Sequence, residues 1–355
     1  MKKDSLYAVI IAGGRGKRFW PLSREAKPKQ LIALNGTKTL LHETIERISP
    51  LIPKERIYII TASSHSKHVL ESTHDIPVEN IIIEPQGRNT APAIALPASI
   101  LYKKDPDALM VVLPADHIVG KEDKLIEDIS EAIKLADEKR VMVTFGIRPT
   151  YPETGYGYIE INKKLDTSFF GVQSFTEKPN RKKAKFFLES GRYLWNSGMF
   201  VFRADIFLDR VKVCLPSLHS SLEKYFQQGA GESALTEFYG TIDSISVDHG
   251  VMEKSAEDIA VLAANFSWND VGSWSALDDI WKADETGNRK SGCELVSISS
   301  ESNTIYSKKL VALLGVDNLI IVETDDALLI CKKDRAQEIK SMVEEIERRG
   351  YADYL

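Results

Sequence analysis

Tyr7-Ala8-Val9-Ile10-Ile11-Ala12-Gly13-Gly14-Arg15-Gly16-Lys17-Arg18-Phe19-Trp20-Pro21-Leu22-Ser23 joins a short apolar run to a glycine-rich, basic loop. An apolar run of this length that ends in glycine predicts a buried strand. The loop after it predicts a phosphate cradle. Glycines let backbone N–H groups reach phosphate oxygens with no Cβ in the way, and Arg15, Lys17, Arg18, Lys27 and Lys29 add positive charge. The spelling excludes two familiar loops. A Walker A loop needs Ser or Thr where Arg18 stands, and the dinucleotide fingerprint needs glycine where Phe19 stands.

Outward from this loop the chain alternates. Strand-length apolar runs recur at Ile57 to Thr61, Asn80 to Glu84, Leu109 to Leu113 and Val141 to Phe145, and helical patterns lie at Thr39 to Ile48, Ser66 to Thr73, Thr90 to Tyr102 and Asp123 to Asp137. This alternation predicts an α/β, doubly wound, Rossmann-like sheet, whose ligands meet the carboxyl ends of the strands. The expected organisation is a catalytic domain over 1–287, with a nucleotide part over about 1–150 and a sugar-phosphate part over about 151–287, and a β-rich unit over 288–355 that ends in an amphipathic helix, Arg335 to Arg349. In that last unit Ile298, Thr304, Leu310, Val316, Val322 and Leu328 fall six apart. The spacing admits a short left-handed parallel β-helix, and an antiparallel set of strands closed by the helix fits as well.

Composition bounds the partners. With 46 basic against 51 acidic side chains the net charge is -5, which points to no nucleic-acid partner. Cys214, Cys293 and Cys331 lack the paired spacing of a zinc or redox motif and suit a reduced, cytoplasmic setting. No stretch reads as a targeting segment or membrane span.

The loop from Gly13 to Leu22, followed by Pro28-Lys29-Gln30, resembles the signature of the nucleoside-diphosphate-sugar pyrophosphorylases. The resemblance continues, in the manner of the bacterial mannose-1-phosphate guanylyltransferases, through Glu84-Pro85-Gln86-Gly87-Arg88-Asn89-Thr90-Ala91-Pro92-Ala93-Ile94, Pro114-Ala115-Asp116-His117, Glu177-Lys178-Pro179, Trp195-Asn196-Ser197-Gly198-Met199-Phe200 and Trp268-Asn269-Asp270-Val271-Gly272-Ser273-Trp274. It spans nearly the whole chain. It implies a nucleotidyltransferase that joins GTP to mannose 1-phosphate, without the isomerase domain of longer relatives and hence without isomerase activity. Another sugar 1-phosphate, such as a heptose or glucose derivative, and a non-catalytic GDP-sugar-binding paralogue remain rival readings.

The resemblance assigns roles that the residues can carry. Ala12, Gly13, Gly14, Arg15 and Gly16 would hold the nucleotide phosphates, Pro85, Gln86 and Gly87 the guanine neighbourhood, and Arg88, Asn89 and Thr90 the ribose and phosphate side. Taken alone, that second segment also reads as a loop leading into an N-capped helix. Arg18 and Lys29 would stabilise charge at the α-phosphate. Asp116, following a strand, and Asp270 would hold Mg2+, an ion that prefers hard oxygen ligands. Each has a plain alternative, Asp116 as a loop or cap carboxylate and Asp270 as part of a turn before a helix from Ser273. His117 has no partner histidines at ligand spacing and is left out of the metal set. Lys178 would meet the acceptor phosphate and Glu177 the hexose, with Gly155 and Asn196 completing the sugar pocket. The β-rich unit suggests a homodimer, since short β-stacks bury little alone.

Overall fold

The computed structural model describes residues 3–14, 16–34, 36–166 and 168–355 of the chain. By compactness the chain forms two units. One holds Met1–Gly13, Thr44–Ala115 and Val119–Trp268, and the other Gly14–Glu43, Asp116–Ile118 and Asn269–Leu355. Sequence position alone does not describe this division, because two short early segments join the late one.

The first unit is built on parallel strands β1 (Leu6–Ala12), β2 (Ile57–Ala62), β3 (Ile81–Glu84) and β4 (Leu109–Pro114). They carry almost no polar residues because both faces are covered, as a parallel sheet requires. A short strand β5 (Ile118–Gly120) follows, then β6 (Met142–Ile147), β7 (Gly157–Lys164), β8 (Phe169–Glu177), β9 (Tyr193–Arg203), β10 (Ile259–Ala263) and β11 (Ser267–Asn269). Nine of these form one sheet in the order β3-β2-β1-β4-β9-β6-β10-β8-β7. The order reverses between β1 and β4, so their carboxyl ends open side by side, and the Ala115 N–H donates to the Ile11 carbonyl at 3.0 Å. That is the topological switch point at which open α/β sheets take ligands.

Helices α1 (Leu40–Ile48), α2 (Ser66–Ser72), α3 (Thr90–Lys104) and α4 (Glu122–Lys139) fall where the apolar periodicity places them. Helix α3 is apolar nearly all round and is buried accordingly, packing Ala91, Ile94, Ala95, Ala98 and Leu101 among Val9, Met110, Val112 and Phe202. The amphipathic α4 buries Leu125, Ile129, Ala132, Ile133 and Ala136. Later come α5 (Arg181–Ser190), α6 (Ala204–Cys214), α7 (Pro216–Gln227), α8 (Glu232–Thr241) and the single turn α9 (Val247–Gly250). Among the described residues no helix is long and apolar enough to cross a membrane.

In the second unit, β12 (Arg289–Ser291), β14 (Thr304–Tyr306) and β16 (Leu319–Glu323) stack in parallel, as do β13 (Leu295–Ile298) and β15 (Val311–Leu314). Register partners Arg289, Thr304 and Ile320 are 15 and 16 residues apart, the length of one coil. The coils are therefore those of a parallel β-helix, and an antiparallel strand β17 (Leu328–Lys332) closes them on β16. Both alternatives left open by the sequence contribute.

The six-residue spacing does not mark the interior. Thr304 and Val322 are buried, whereas Ile298, Leu310 and Leu328 are exposed. The inward residues are Ile305, Leu313, Ile320, Val322 and Leu329, because strand alternation and uneven turns set direction. Two buried asparagines hold successive turns together. Asn288 donates to the Ser300 carbonyl at 2.9 Å and accepts from the Asn303 N–H at 2.9 Å, while Asn303 donates to the Val316 carbonyl at 2.9 Å. The closing helix begins later than the periodicity predicts: 333–338 form a 3-10 turn and α10 spans Ile339–Arg348. Likewise the helix expected from Ser273 is a 3-10 segment, Trp274–Asp279.

Candidate active site

In the second unit the glycine-rich loop is tied down by its aromatic residues. Phe19 and Trp20 are buried among Val271, Trp274, Ile320, Val322, Leu329, Ile339 and Val343. The Trp274 indole donates to the Trp20 carbonyl at 3.1 Å, and the Trp20 indole to the Tyr354 carbonyl at 2.7 Å. Gly16 is left-handed, with φ 61°, and a Cβ there would lie 2.4 Å from the Cβ of Lys29. No other residue fits that approach. Arg15 lies outside the described residues.

Lys29 stands on the 3-10 turn Lys29–Leu31, and its side chain is 6% exposed. Its ammonium donates to Asp116 Oδ2 at 2.9 Å and to the Asp270 carbonyl at 2.6 Å. Burial alone would raise the Asp116 carboxyl, but Lys29 and then His117 outweigh it and hold the group below the usual carboxylate range. Asp116 is thus an anion at neutral pH. His117 Nε2 lies 3.8 Å from Asp116 Oδ1. Val271, a β-branched residue at φ 48°, follows Asp270, and its N–H is held by Asn269 Oδ1 at 2.7 Å. Such a backbone costs on the order of 1–3 kcal/mol and persists only where its surroundings enforce it.

These groups share a cavity of about 470 Å³ lined by Gly16, Lys17, Arg18, Lys29, Asp116 and Asp270. Gly16, Arg18, Lys29, Asp116 and Asp270, the residues that the motifs single out, meet here beside Lys17, one of the loop's cations. Lys340, which no motif marks, reaches the same cavity from α10. Nothing in the spelling of an amphipathic helix distinguishes a cation that lines a cavity from one in solvent. For magnesium the donor set fits: two carboxylates, hard oxygen donors, one held anionic by a neighbouring ammonium. Among the described residues no three His, Cys, Asp or Glu side chains cluster to hold a metal, so phosphate and water oxygens would complete the shell.

In the first unit the segment after β3 is knitted to the chain near α8 and α9. Gln86 Nε2 and Arg88 Nε both donate to the Tyr239 carbonyl, at 2.7 and 2.8 Å. Asn89, at φ 67°, accepts from the Thr90 N–H at 2.8 Å, and the Thr90 hydroxyl accepts from the Val247 N–H at 2.9 Å. The Ala91 N–H donates to the Ile245 carbonyl at 3.1 Å. The opening of α3 therefore does not present a free row of N–H donors, because the chain itself uses two of them. Asn89 and Thr90 carry out the N-cap and bracing roles that the plain reading of this loop allows. Gly13 closes on Glu84, whose Oε2 would lie 3.5 Å from an added Cβ. Burial pushes the Glu84 carboxyl up to about 7, against the pull of the neighbouring Tyr239 hydroxyl. The Ala12 carbonyl accepts from Thr61 Oγ1 at 3.1 Å.

The sugar-phosphate candidates also meet within this unit. Glu177 ends β8, and Lys178 beside it, at φ 45°, closes its ammonium on Glu177 Oε1. Asn196 on β9 accepts from Thr144 Oγ1 at 3.3 Å and donates from Nδ2 to Asp248 Oδ1 at 2.8 Å. The close approach belongs to Gly157 rather than Gly155. A Cβ at Gly157 would lie 2.6 Å from Glu177 Oε2 and 3.3 Å from the Asn196 Cβ, whereas one at Gly155 meets only Glu153, whose Oε1 already accepts the Gly155 N–H at 2.6 Å. Gly155 and Gly157 flank Tyr156, and only strand register separates them: Gly157 pairs with Glu177. Asp248 was not singled out by the sequence.

Residues 7–287 match the nucleotidyl transferase family, and 293–346 match the mannose-phosphate isomerase/GMP-like β-helix domain. The chain belongs to the nucleotidyl transferase family. It is 38% identical over 375 residues to mannose-1-phosphate guanylyltransferase 2 of Escherichia coli O157:H7, covering 100% of this chain and 76% of that protein. It is 41% identical over 358 residues to a mannose-1-phosphate guanylyltransferase of Klebsiella pneumoniae, covering 98% and 75%. A solved structure from Thermus thermophilus, described as a mannose-1-phosphate geranyltransferase, superposes with a TM-score of 0.89 at 36% identity over 97% of this chain and 99% of that one. Within the family, then, the chain stands among the mannose-1-phosphate guanylyltransferases, and the resemblance carried by the ordered motifs holds.

Proposed function

We propose that the chain transfers GMP from GTP to α-D-mannose 1-phosphate, giving GDP-mannose and pyrophosphate. The observation that carries this reading is the buried Lys29 ammonium, held by Asp116 and the Asp270 carbonyl in the cavity that Arg18 also lines. A sugar-phosphate oxygen is already ionised at neutral pH, so it attacks without a general base. It bonds to the α-phosphorus of GTP as the bond from that phosphorus to the bridging oxygen breaks, and pyrophosphate leaves with the electron pair. Arg18 and Lys29 stabilise the charge that develops on the α-phosphoryl oxygens. Arg15, Lys17 and Lys340 are the cations for the leaving phosphates. Asp116 and Asp270 would hold Mg2+, which when bound neutralises polyphosphate charge. On the acceptor side Lys178 meets the phosphate, and Glu177 and Asn196 the hexose.

The reading extends to a homodimer in the cytoplasm. Ile298 and its register partner Leu314 are both exposed on the β-helix, with Val296 and Leu310 near them, an apolar face that a second copy would cover. The three cysteines are free thiols, as a reducing compartment keeps them.

Pyrophosphate release across four nucleoside triphosphates and several sugar 1-phosphates, with and without magnesium, tests the assignment. Release with GTP and mannose 1-phosphate, dependent on magnesium, is expected, and release with another pair alone would overturn it. One arm adds fructose 6-phosphate without nucleotide, because a Helicobacter pylori structure described as a mannose-6-phosphate isomerase matches 75% of this chain at 28% identity and a TM-score of 0.60. No mannose 6-phosphate should form. Light scattering at micromolar protein concentration should read a dimer.

A further inference from the structure

Asp248 is a partly buried carboxylate with no part in the reaction as derived so far. It stands on α9, where Ser246 Oγ accepts the His249 N–H at 3.2 Å. The segment leading into α9 is bonded to the start of α3, since the Ile245 N–H donates to the Arg88 carbonyl at 3.3 Å and the Val247 N–H to Thr90 Oγ1 at 2.9 Å. Asp248 is thus carried by the segment that braces the nucleotide motif, and it receives the Asn196 amide of the sugar motif at 2.8 Å.

The charges facing it are Glu177 and Lys178 from the end of β8 and His249 on its own turn, the last paired with Glu253 at 3.0 Å. Burial, then the repulsion of Glu177, push the Asp248 carboxyl up to about 6, while Asn196 and Lys178 pull the other way. A group whose only task was to orient the Asn196 amide would be served by a neutral acceptor, without the cost of burying a charge. Two neighbouring carboxylates instead suit a ligand rich in hydroxyl donors. Lys178 pairs with Glu177. Once the ammonium turns to a phosphate, Glu177 and Asp248 both need donors, and the hydroxyls of the same ligand can supply them.

We propose that Asp248 is a hexose-recognition residue, which together with Glu177 accepts hydrogen bonds from two hydroxyls of the sugar 1-phosphate and so sets which sugars are used. This rests on the reading of the site as one for a sugar phosphate. Asp248→Asn keeps an oxygen for the Asn196 amide and removes the charge. With GTP saturating, KM for mannose 1-phosphate should rise ~10–100-fold, the loss typical of a hydrogen bond to a charged group, while KM for GTP stays within about 2-fold. The sugar phosphate's own second ionisation, also near pH 6, bends both profiles; the further acid limb that the Asp248 carboxylate adds to kcat/KM of the wild type should be lost in the variant.

An unchanged sugar KM, or equal rises in both KM values, would overturn the assignment, the latter in favour of a structural role. If Asp248→Asn does not fold, Asp248→Glu is used. It keeps the charge but moves it, and should change the preference for mannose over glucose 1-phosphate by ~10-fold; an unchanged preference also overturns the assignment. Should the wild type transfer no nucleotidyl group, the functional reading itself fails. Calorimetry with mannose 1-phosphate then decides the inference separately: weaker binding by Asp248→Asn supports it, and equal binding or none overturns it.

Discussion

Two lysines, each beside a carboxylate, are held in opposite ways. The Lys29 side chain is 6% exposed and makes bonds to Asp116 and to the Asp270 carbonyl, so its position is set before any ligand arrives. The Lys178 side chain is 64% exposed and bonds to its sequence neighbour Glu177, a pair worth about 0–1 kcal/mol to stability. The difference suits the two tasks proposed for them. Stabilising a transient charge rewards a donor that need not reorganise, whereas capturing a phosphate from solvent rewards one that can move.

The comparison breaks most readily at Lys29. Lys29→Met should lower kcat by ~100–1,000-fold with the fold retained, the loss seen when one preorganised donor to a developing charge is removed. A steady-state assay beside a thermal melt checks this, and near-normal turnover in a folded protein would remove Lys29 from the chemistry. Lys178→Ala should raise KM for mannose 1-phosphate by roughly 10–100-fold and leave the thermal midpoint within about 1 °C, because the exposed pair contributes little to folding. If the midpoint falls sharply, the two lysines do not differ as described. The smallest effect is expected at Lys340, 58% exposed and only loosely paired with Glu344 at 3.9 Å. Lys340→Ala should raise KM for GTP by about 3–10-fold, more at low ionic strength than at high, as screening of an exposed charge requires.

The strands and first helices of the α/β unit were legible because burial on both faces demands long apolar runs, and residues such as Val9, Ile10, Val111 and Val112 satisfy no other reading. The glycine-rich loop was legible for a related reason. Gly16 must be glycine at its left-handed φ against Lys29, so the constraint is written into the residue type. The β-helix was legible only as one of two options, since its inward residues follow coils of 15 and 16 residues with irregular turns and leave no clean period. Gly155 and Gly157 show the same limit more sharply. Both are glycines beside one tyrosine, and only the pairing of Gly157 with Glu177 decides which lies against that carboxylate.

By itself, then, the amino-acid sequence determined the sheet, the loop that follows its first strand and the set of motifs that marks the family, since each depends on local residue chemistry or on order along the chain. The tertiary structure alone decided that Thr90 braces Val247, that Lys340 enters the cavity of Lys29 and Asp116, and that Asp248 meets Asn196. Those pairings join residues far apart in sequence. They arise from how elements pack, and local pattern carries no trace of them.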